Sequence, residues 1–113
     1  MSAITTHVLD TARGRPAAGV VVVLEMEQAG EWRPIGQGVT DADGRVKALL
    51  APGTPLSAGV YRLTFATGTY FARQSQATFY PEVKVVFKIT DPEQHHHVPL
   101  LLSPFGYSTY RGS

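Results

Sequence analysis

Apolar and polar residues alternate along most of this chain with the period of a β-strand, and Gly, Pro or Asp breaks the alternation at short intervals. Near the start, Ile4, Thr6 and Val8 fall against Thr5, His7 and Leu9, so a strand over 4–10 carries His7 and Leu9 on one face. A turn punctuated by Gly14 and Pro16 follows. The β-branched run from Gly19 to Glu27 predicts a central, well-buried strand, with Trp32 to Thr40 as its partner. Thr40-Asp41-Ala42-Asp43-Gly44-Arg45 reads as a tight turn that delivers Arg45 to a short strand, Val46 to Leu49, and the Pro- and Gly-rich 51–57 stretch as a loop. From Gly59 to Ala66 the pattern puts Tyr61, Leu63 and Phe65 on one face and Val60, Arg62 and Thr64 on the other. Only 69–76 has helical character, two turns at most, and Glu82 to Thr90 reads as another strand.

The last stretch is the densest in polar chemistry. If 95–102 is a strand, His95 and His97 share a face and His96 points the other way. Ser103-Pro104-Phe105-Gly106 has the composition of a hairpin turn, and the returning Tyr/Ser/Thr-rich run ends on Tyr110-Arg111-Gly112-Ser113, bringing a hydroxyl, a guanidinium and a carboxylate together. The count is seven or eight strands and no long helix, an all-β sandwich or barrel.

Composition narrows what such a fold can do. With 113 residues, 43% of them hydrophobic, residues 1–113 suit one domain with a real core. A net charge of +1, with the basic residues scattered, gives no electrostatic case for nucleic acid or an anionic membrane as partner. The absence of cysteine removes disulfides, thiolate metal sites and a Cys nucleophile. No apolar run approaches a bilayer span and the N-terminus has no signal-peptide pattern, so the expected location is the cytoplasm.

The candidate chemistry is carried by His7, Arg45, His95, His97 and the 110–113 end. Each has a bland explanation alone, as a hydrogen-bonded strand histidine or a solvated arginine. His95 and His97 at i and i+2, with His7 from another strand, could supply three imidazoles to zinc, but no carboxylate in those segments is placed to orient them. No Gly-x-Ser-x-Gly elbow and no Gly-rich phosphate motif occurs.

Two stretches together point further. His7-Val8-Leu9-Asp10 through Gly14, Pro16 and Val20 resembles the N-terminal signature of the transthyretin superfamily, and Leu101 through Thr109 resembles its C-terminal signature. Within that superfamily, the Tyr110-Arg111-Gly112-Ser113 ending resembles the 5-hydroxyisourate hydrolases of purine catabolism. The hormone carriers lack this tetrapeptide and continue past it; they place Lys and Glu at the positions of His7 and Arg45, and threonines at those of His97 and Tyr110. One position departs from the hydrolases, which usually have Tyr where this chain has His96.

The resemblance implies a β-sandwich of two four-stranded sheets with one short helix. It implies a homotetramer with a central channel, whose active sites lie at the dimer–dimer interface and are completed by two subunits. It also implies catalytic roles for His7, Arg45 and His97 and substrate binding by Tyr110, Arg111, Gly112 and Ser113, with no metal and no cofactor. His7 is then the expected water activator, with His97 orienting water or protonating the leaving nitrogen, although the two roles can be exchanged. A carrier of small aromatic ligands and a β-sandwich interaction module are the competing readings.

Overall fold

The computed structural model describes residues 3–113, which form eight strands and one short helix. In chain order these are β1 (Ile4–Asp10), β2 (Arg15–Pro16), β3 (Val21–Gln28), β4 (Glu31–Val39), β5 (Gly59–Phe65), α1 (Thr67–Ala72), β6 (Val83–Ile89), β7 (His96–Ser103) and β8 (Gly106–Thr109). They build two four-stranded sheets, β2-β1-β7-β8 and β4-β3-β5-β6. All ladders are antiparallel except β1–β7, which is parallel and sets Ile4 opposite His96, Thr5 opposite His97 and His7 opposite Pro99.

Alternation in the sequence becomes alternation in burial. Ile4, Thr6, Val8 and Asp10 of β1 are buried, and Thr5, His7 and Leu9 face outward. Val98, Leu100 and Leu102 meet Val22, Leu24, Leu63 and Phe65 of the opposite sheet in one core, which Tyr70 and Phe71 of α1 complete. Burying each such aliphatic or aromatic side chain contributes roughly 1.5–3 kcal/mol. The outward face of β1 and β7 is thereby left to polar side chains.

Three elements differ from the expectations. No strand forms over 46–49; only Arg45 makes an isolated bridge, to His7. The segment instead lies over β4, where a Cβ at Gly36 would strike the Leu49 carbonyl and one at Gly38 the Val46 side chain. Val46, Leu49 and Leu50 are buried there, so they act as a plug, and their apolar spacing mimics a strand. The helix lies at Thr67–Ala72 rather than 69–76, and the residues after it are a turn. Pro16 belongs to β2 instead of punctuating the turn.

Asp10 is fully buried at the far end of β1. It accepts bonds from the Tyr70 hydroxyl at 2.7 Å and the Arg13 N–H at 3.0 Å, which ties α1 to the strand. Among the described residues no helix is long and apolar enough to cross a membrane.

Candidate active site

Four pieces of chain meet on the outward face of the β1–β7 pair. β1 contributes Thr5 and His7, and β7 contributes His97, with His95 just before the strand. The turn after β4 brings Arg45, and the C-terminal residues return along β7.

The turn is held by the Asp41 carboxylate, which accepts from the Asp43 N–H at 2.9 Å and the Arg45 N–H at 3.1 Å. These backbone donors, the Arg45 N–H foremost, hold the Asp41 carboxyl below the usual carboxylate range, against some desolvation. Gly44 takes φ +77°, and its carbonyl accepts from the Val8 N–H at 2.8 Å. A side chain at Gly44 would also strike the Val8 carbonyl, so the turn can lie flat on β1 only with glycine here. Arg45 is thus pinned beside His7, and among the described residues its guanidinium has no bonding partner.

The C-terminal stretch is fixed as tightly. After Thr109 the ladder lapses, then resumes in the β7–β8 register as a bridge between Gly112 and His97, with the Gly112 N–H donating to the His97 carbonyl at 2.8 Å. A Cβ at Gly112 would lie 2.6 Å from Cδ2 of His97 and 3.3 Å from Cγ of Pro99. The backbone therefore packs directly on the imidazole, which only glycine permits.

His97 is half-buried between these elements. Burial foremost, then the positive charge of Arg45 and the neighbouring His95 and His7, hold its pKa below the ordinary 6.5, against a hydrogen bond that the ring donates to the Thr5 backbone. The imidazole is consequently neutral at neutral pH and able to accept a proton. Its Nδ1 shares a 2.8 Å hydrogen bond with the Thr5 hydroxyl, and that hydroxyl also lies 2.9 Å from Nε2 of His95. The two rings are stacked, 6.4 Å between centroids.

A cleft of about 450 Å³ opens over this arrangement, lined among others by Thr5, Asp41, Arg45, Lys47, His95, His97 and Ser113. Of the candidate residues named from the sequence, Arg45, His95, His97 and Ser113 share it. His7 stands beside Arg45, outside the cleft lining. Tyr110 and Arg111 line a different hollow of about 210 Å³ with Phe87, Lys88, His96 and His97, and Arg111 donates to Oε1 of Gln94 at 3.1 Å. The 110–113 stretch therefore divides its polar groups between two hollows that meet at His97. Thr5 was the residue that sequence reasoning missed. Its signal was its position two before His7 on the same strand face, which the parallel pairing with β7 brings to His97.

Among the described residues no three His, Cys, Asp or Glu side chains converge as a metal site requires. The ring nitrogens of His95 and His97 that face each other meet the Thr5 hydroxyl. The arrangement can offer a neutral imidazole, an unpaired guanidinium and the polar residue Ser113 to one small polar molecule.

The profile of the HIUase/Transthyretin family matches residues 4–112. A 5-hydroxyisourate hydrolase of Salmonella dublin is 49% identical over 97% of this chain and 80% of its own. The structure of Klebsiella pneumoniae 5-hydroxyisourate hydrolase superposes with a TM-score of 0.84 at 41% identity, covering 97% of this chain and 98% of that one. Sea bream transthyretin, solved in complex with thyroxine, superposes with a TM-score of 0.90 at 36% identity, covering 98% and 95%. Backbone shape does not separate the hydrolase from transthyretin.

Proposed function

The chain belongs to the HIUase/Transthyretin family, and from that premise we propose that it hydrolyses 5-hydroxyisourate to 2-oxo-4-hydroxy-4-carboxy-5-ureidoimidazoline in urate catabolism. The observation that carries this reading is the convergence of a neutral His97, an unpaired Arg45 and Ser113 on one cleft, with His7 bridged to Arg45 at its side.

The substrate is a small planar heterobicycle, and the reaction opens its six-membered ring at an amide-like carbon–nitrogen bond. Water must lose a proton as it attacks the carbonyl carbon, and the carbonyl oxygen gains negative charge. His97 takes the water proton at Nε2, the ring nitrogen that faces away from Thr5; such general-base help is typically worth about 10² to 10⁴ in rate. Arg45 presents N–H donors to the oxygen on which charge develops. His7, beside Arg45, protonates or orients the departing nitrogen. The sequence left the two roles exchangeable, and we assign the base to His97 because it lines the cleft while His7 stands outside the lining. Ser113 closes the cleft, and Tyr110, Arg111 and Gly112 hold the substrate-facing stretch in position. The chemistry uses no cofactor.

We further infer a homotetramer in which the polar faces of two dimers enclose the sites, and a cytoplasmic location. The likeness to sea bream transthyretin supports a carrier as the second reading. The His7, Arg45 and His97 set, and the Tyr110-Arg111-Gly112-Ser113 stretch, favour catalysis over it.

The test is the ultraviolet decay of 5-hydroxyisourate, freshly generated from urate by urate oxidase, with and without chelator-treated protein. Acceleration that survives the chelator is expected. Decay at the spontaneous rate would sink the hydrolase reading and leave the carrier to be tested by ligand binding.

A further inference from the structure

We propose that Thr5 and His95 form a proton relay behind His97, carrying the charge generated at the half-buried ring out to an exposed one. The proposal rests on the hydrolase reading and assigns roles to two residues that this reading does not use.

The relay follows from counting protons. One hydroxyl has one hydrogen, and Thr5 Oγ1 lies within hydrogen-bonding distance of two imidazole nitrogens, His97 Nδ1 at 2.8 Å and His95 Nε2 at 2.9 Å. The hydroxyl has a single hydrogen to give, so the two nitrogens cannot both accept from it, and at least one must donate N–H to the oxygen. The tautomers of His95 and His97 are therefore coupled through Thr5. In the state ready to react, His97 Nδ1–H donates to Thr5, Thr5 donates to His95 Nε2, and His97 Nε2 keeps its lone pair. Among the described residues nothing bonds that Nε2, and it lies on the side of the ring opposite Thr5.

As water attacks, one of its O–H bonds breaks and the proton goes to His97 Nε2. The Nδ1 proton then passes to Thr5 Oγ1, the Thr5 hydroxyl proton passes to His95 Nε2, and His95 releases its Nδ1 proton to solvent. No heavy atom moves. His97 ends neutral with Nε2–H; it returns that proton to the departing nitrogen, which His7 orients, and the reverse sequence restores the first state.

The gain is electrostatic. A cation on His97 would be partly desolvated and close to the Arg45 charge. Shifting the charge to His95, whose stacked ring centre is 6.4 Å away and which is exposed, places it in water.

Thr5→Val keeps the shape and strand propensity of the residue and removes the hydroxyl; Thr5→Ser keeps the hydroxyl; His95→Phe keeps a stackable ring without nitrogens. With freshly generated 5-hydroxyisourate, Thr5→Val and His95→Phe should each lower kcat roughly tenfold with KM within about twofold, a part of the general-base contribution. Thr5→Ser should restore kcat. The proton inventory in mixed light and heavy water should be curved for the wild type, with several protons in flight, and linear for Thr5→Val and His95→Phe. If Thr5→Val fails to fold by circular dichroism, His95→Phe decides, since its side chain is exposed. Wild-type kcat in His95→Phe, or a Thr5→Ser variant as slow as Thr5→Val, would overturn the relay while the hydrolase stands. A wild-type protein that does not accelerate decay would instead remove the hydrolase reading, and the relay with it.

Discussion

At the scale of single residues, His97 and His96 show how one step along a strand separates chemistry from packing. His97 faces the cleft, where burial, Arg45, His95 and His7 depress its pKa below 6.5. The acid limb of kcat/KM should therefore lie below that value, with a plateau through neutrality. Replacing Arg45 by Gln removes one of the causes. The limb should then move upward toward 6.5 even as the rate falls, and a pH–rate profile of the two proteins checks this; an unmoved limb would take His97 out of the rate law. The same shift has a sign for stability. Between pH 6.5 and the lower folded value the unfolded chain binds the proton and the folded one resists it, so stability declines as pH falls through that window. His96 is buried on the core side, and among the described residues its Nδ1 has no hydrogen-bond partner. An orphaned buried polar atom of this kind typically costs about 1–3 kcal/mol. The His96→Tyr variant, whose hydroxyl can reach the small hollow beside Phe87, should gain on the order of 1 kcal/mol in urea unfolding without loss of turnover. Lower stability in that variant would show that the imidazole is better satisfied than its surroundings indicate.

At the scale of elements, the strands were legible because a period of two with turn residues between has few other readings. β1, β3, β4, β5, β6 and β7 all fall within about two residues of the expected spans. The 46–49 segment was misread because burial against Gly36 and Gly38 selects the same apolar residues that a strand would, and a single chain does not reveal that two glycines leave room for a plug. The candidate site was legible in part for the same kind of reason. His7 and His97 could be placed on strand faces, but their nearness depends on the parallel β1–β7 register, a long-range pairing that no local pattern encodes. Thr5 stayed hidden for that reason too. The turn from Asp41 to Arg45 is the element whose chemistry was most exposed to local reading, and it supports a further prediction. Asp41→Ala frees the N–H groups of Asp43 and Arg45 from their common acceptor. Arg45 then loses its fixed position, and because an error of about 1 Å at a catalytic group can cost as much as a hundredfold, turnover should fall at least roughly tenfold. Asn at position 41 keeps an acceptor oxygen and should recover most of it. Equal rates in the two variants would mean that Gly44 and the bridge to His7 hold the turn unaided.

For the whole molecule, the comparison with transthyretin sets the terms. A carrier and a hydrolase match this fold with TM-scores of 0.90 and 0.84, so what distinguishes them must lie in side chains and in how subunits are arranged around them. In this chain the polar groups sit on an outward face: Thr5, His7 and His97 point away from the core, and the cleft lined by Thr5 and His97 is open. Hydrolysis by an activated water gains from a site that excludes bulk solvent, because each electrostatic contact strengthens as the local dielectric falls. One chain supplies the groups and leaves the cleft open. If the face of a second dimer closes it, activity must depend on assembly. Specific activity measured down a dilution series should then fall together with the fraction of tetramer followed by sedimentation, and should return on reconcentration. Deleting Arg111 to Ser113 separates the two contributions within one subunit, since it removes the Gly112 bond to His97 and the Ser113 side of the cleft. That variant should remain inactive at concentrations where it sediments as the full assembly. Undiminished turnover in a dilute monomer would place the whole site on one chain and leave the proposed tetramer without a catalytic part.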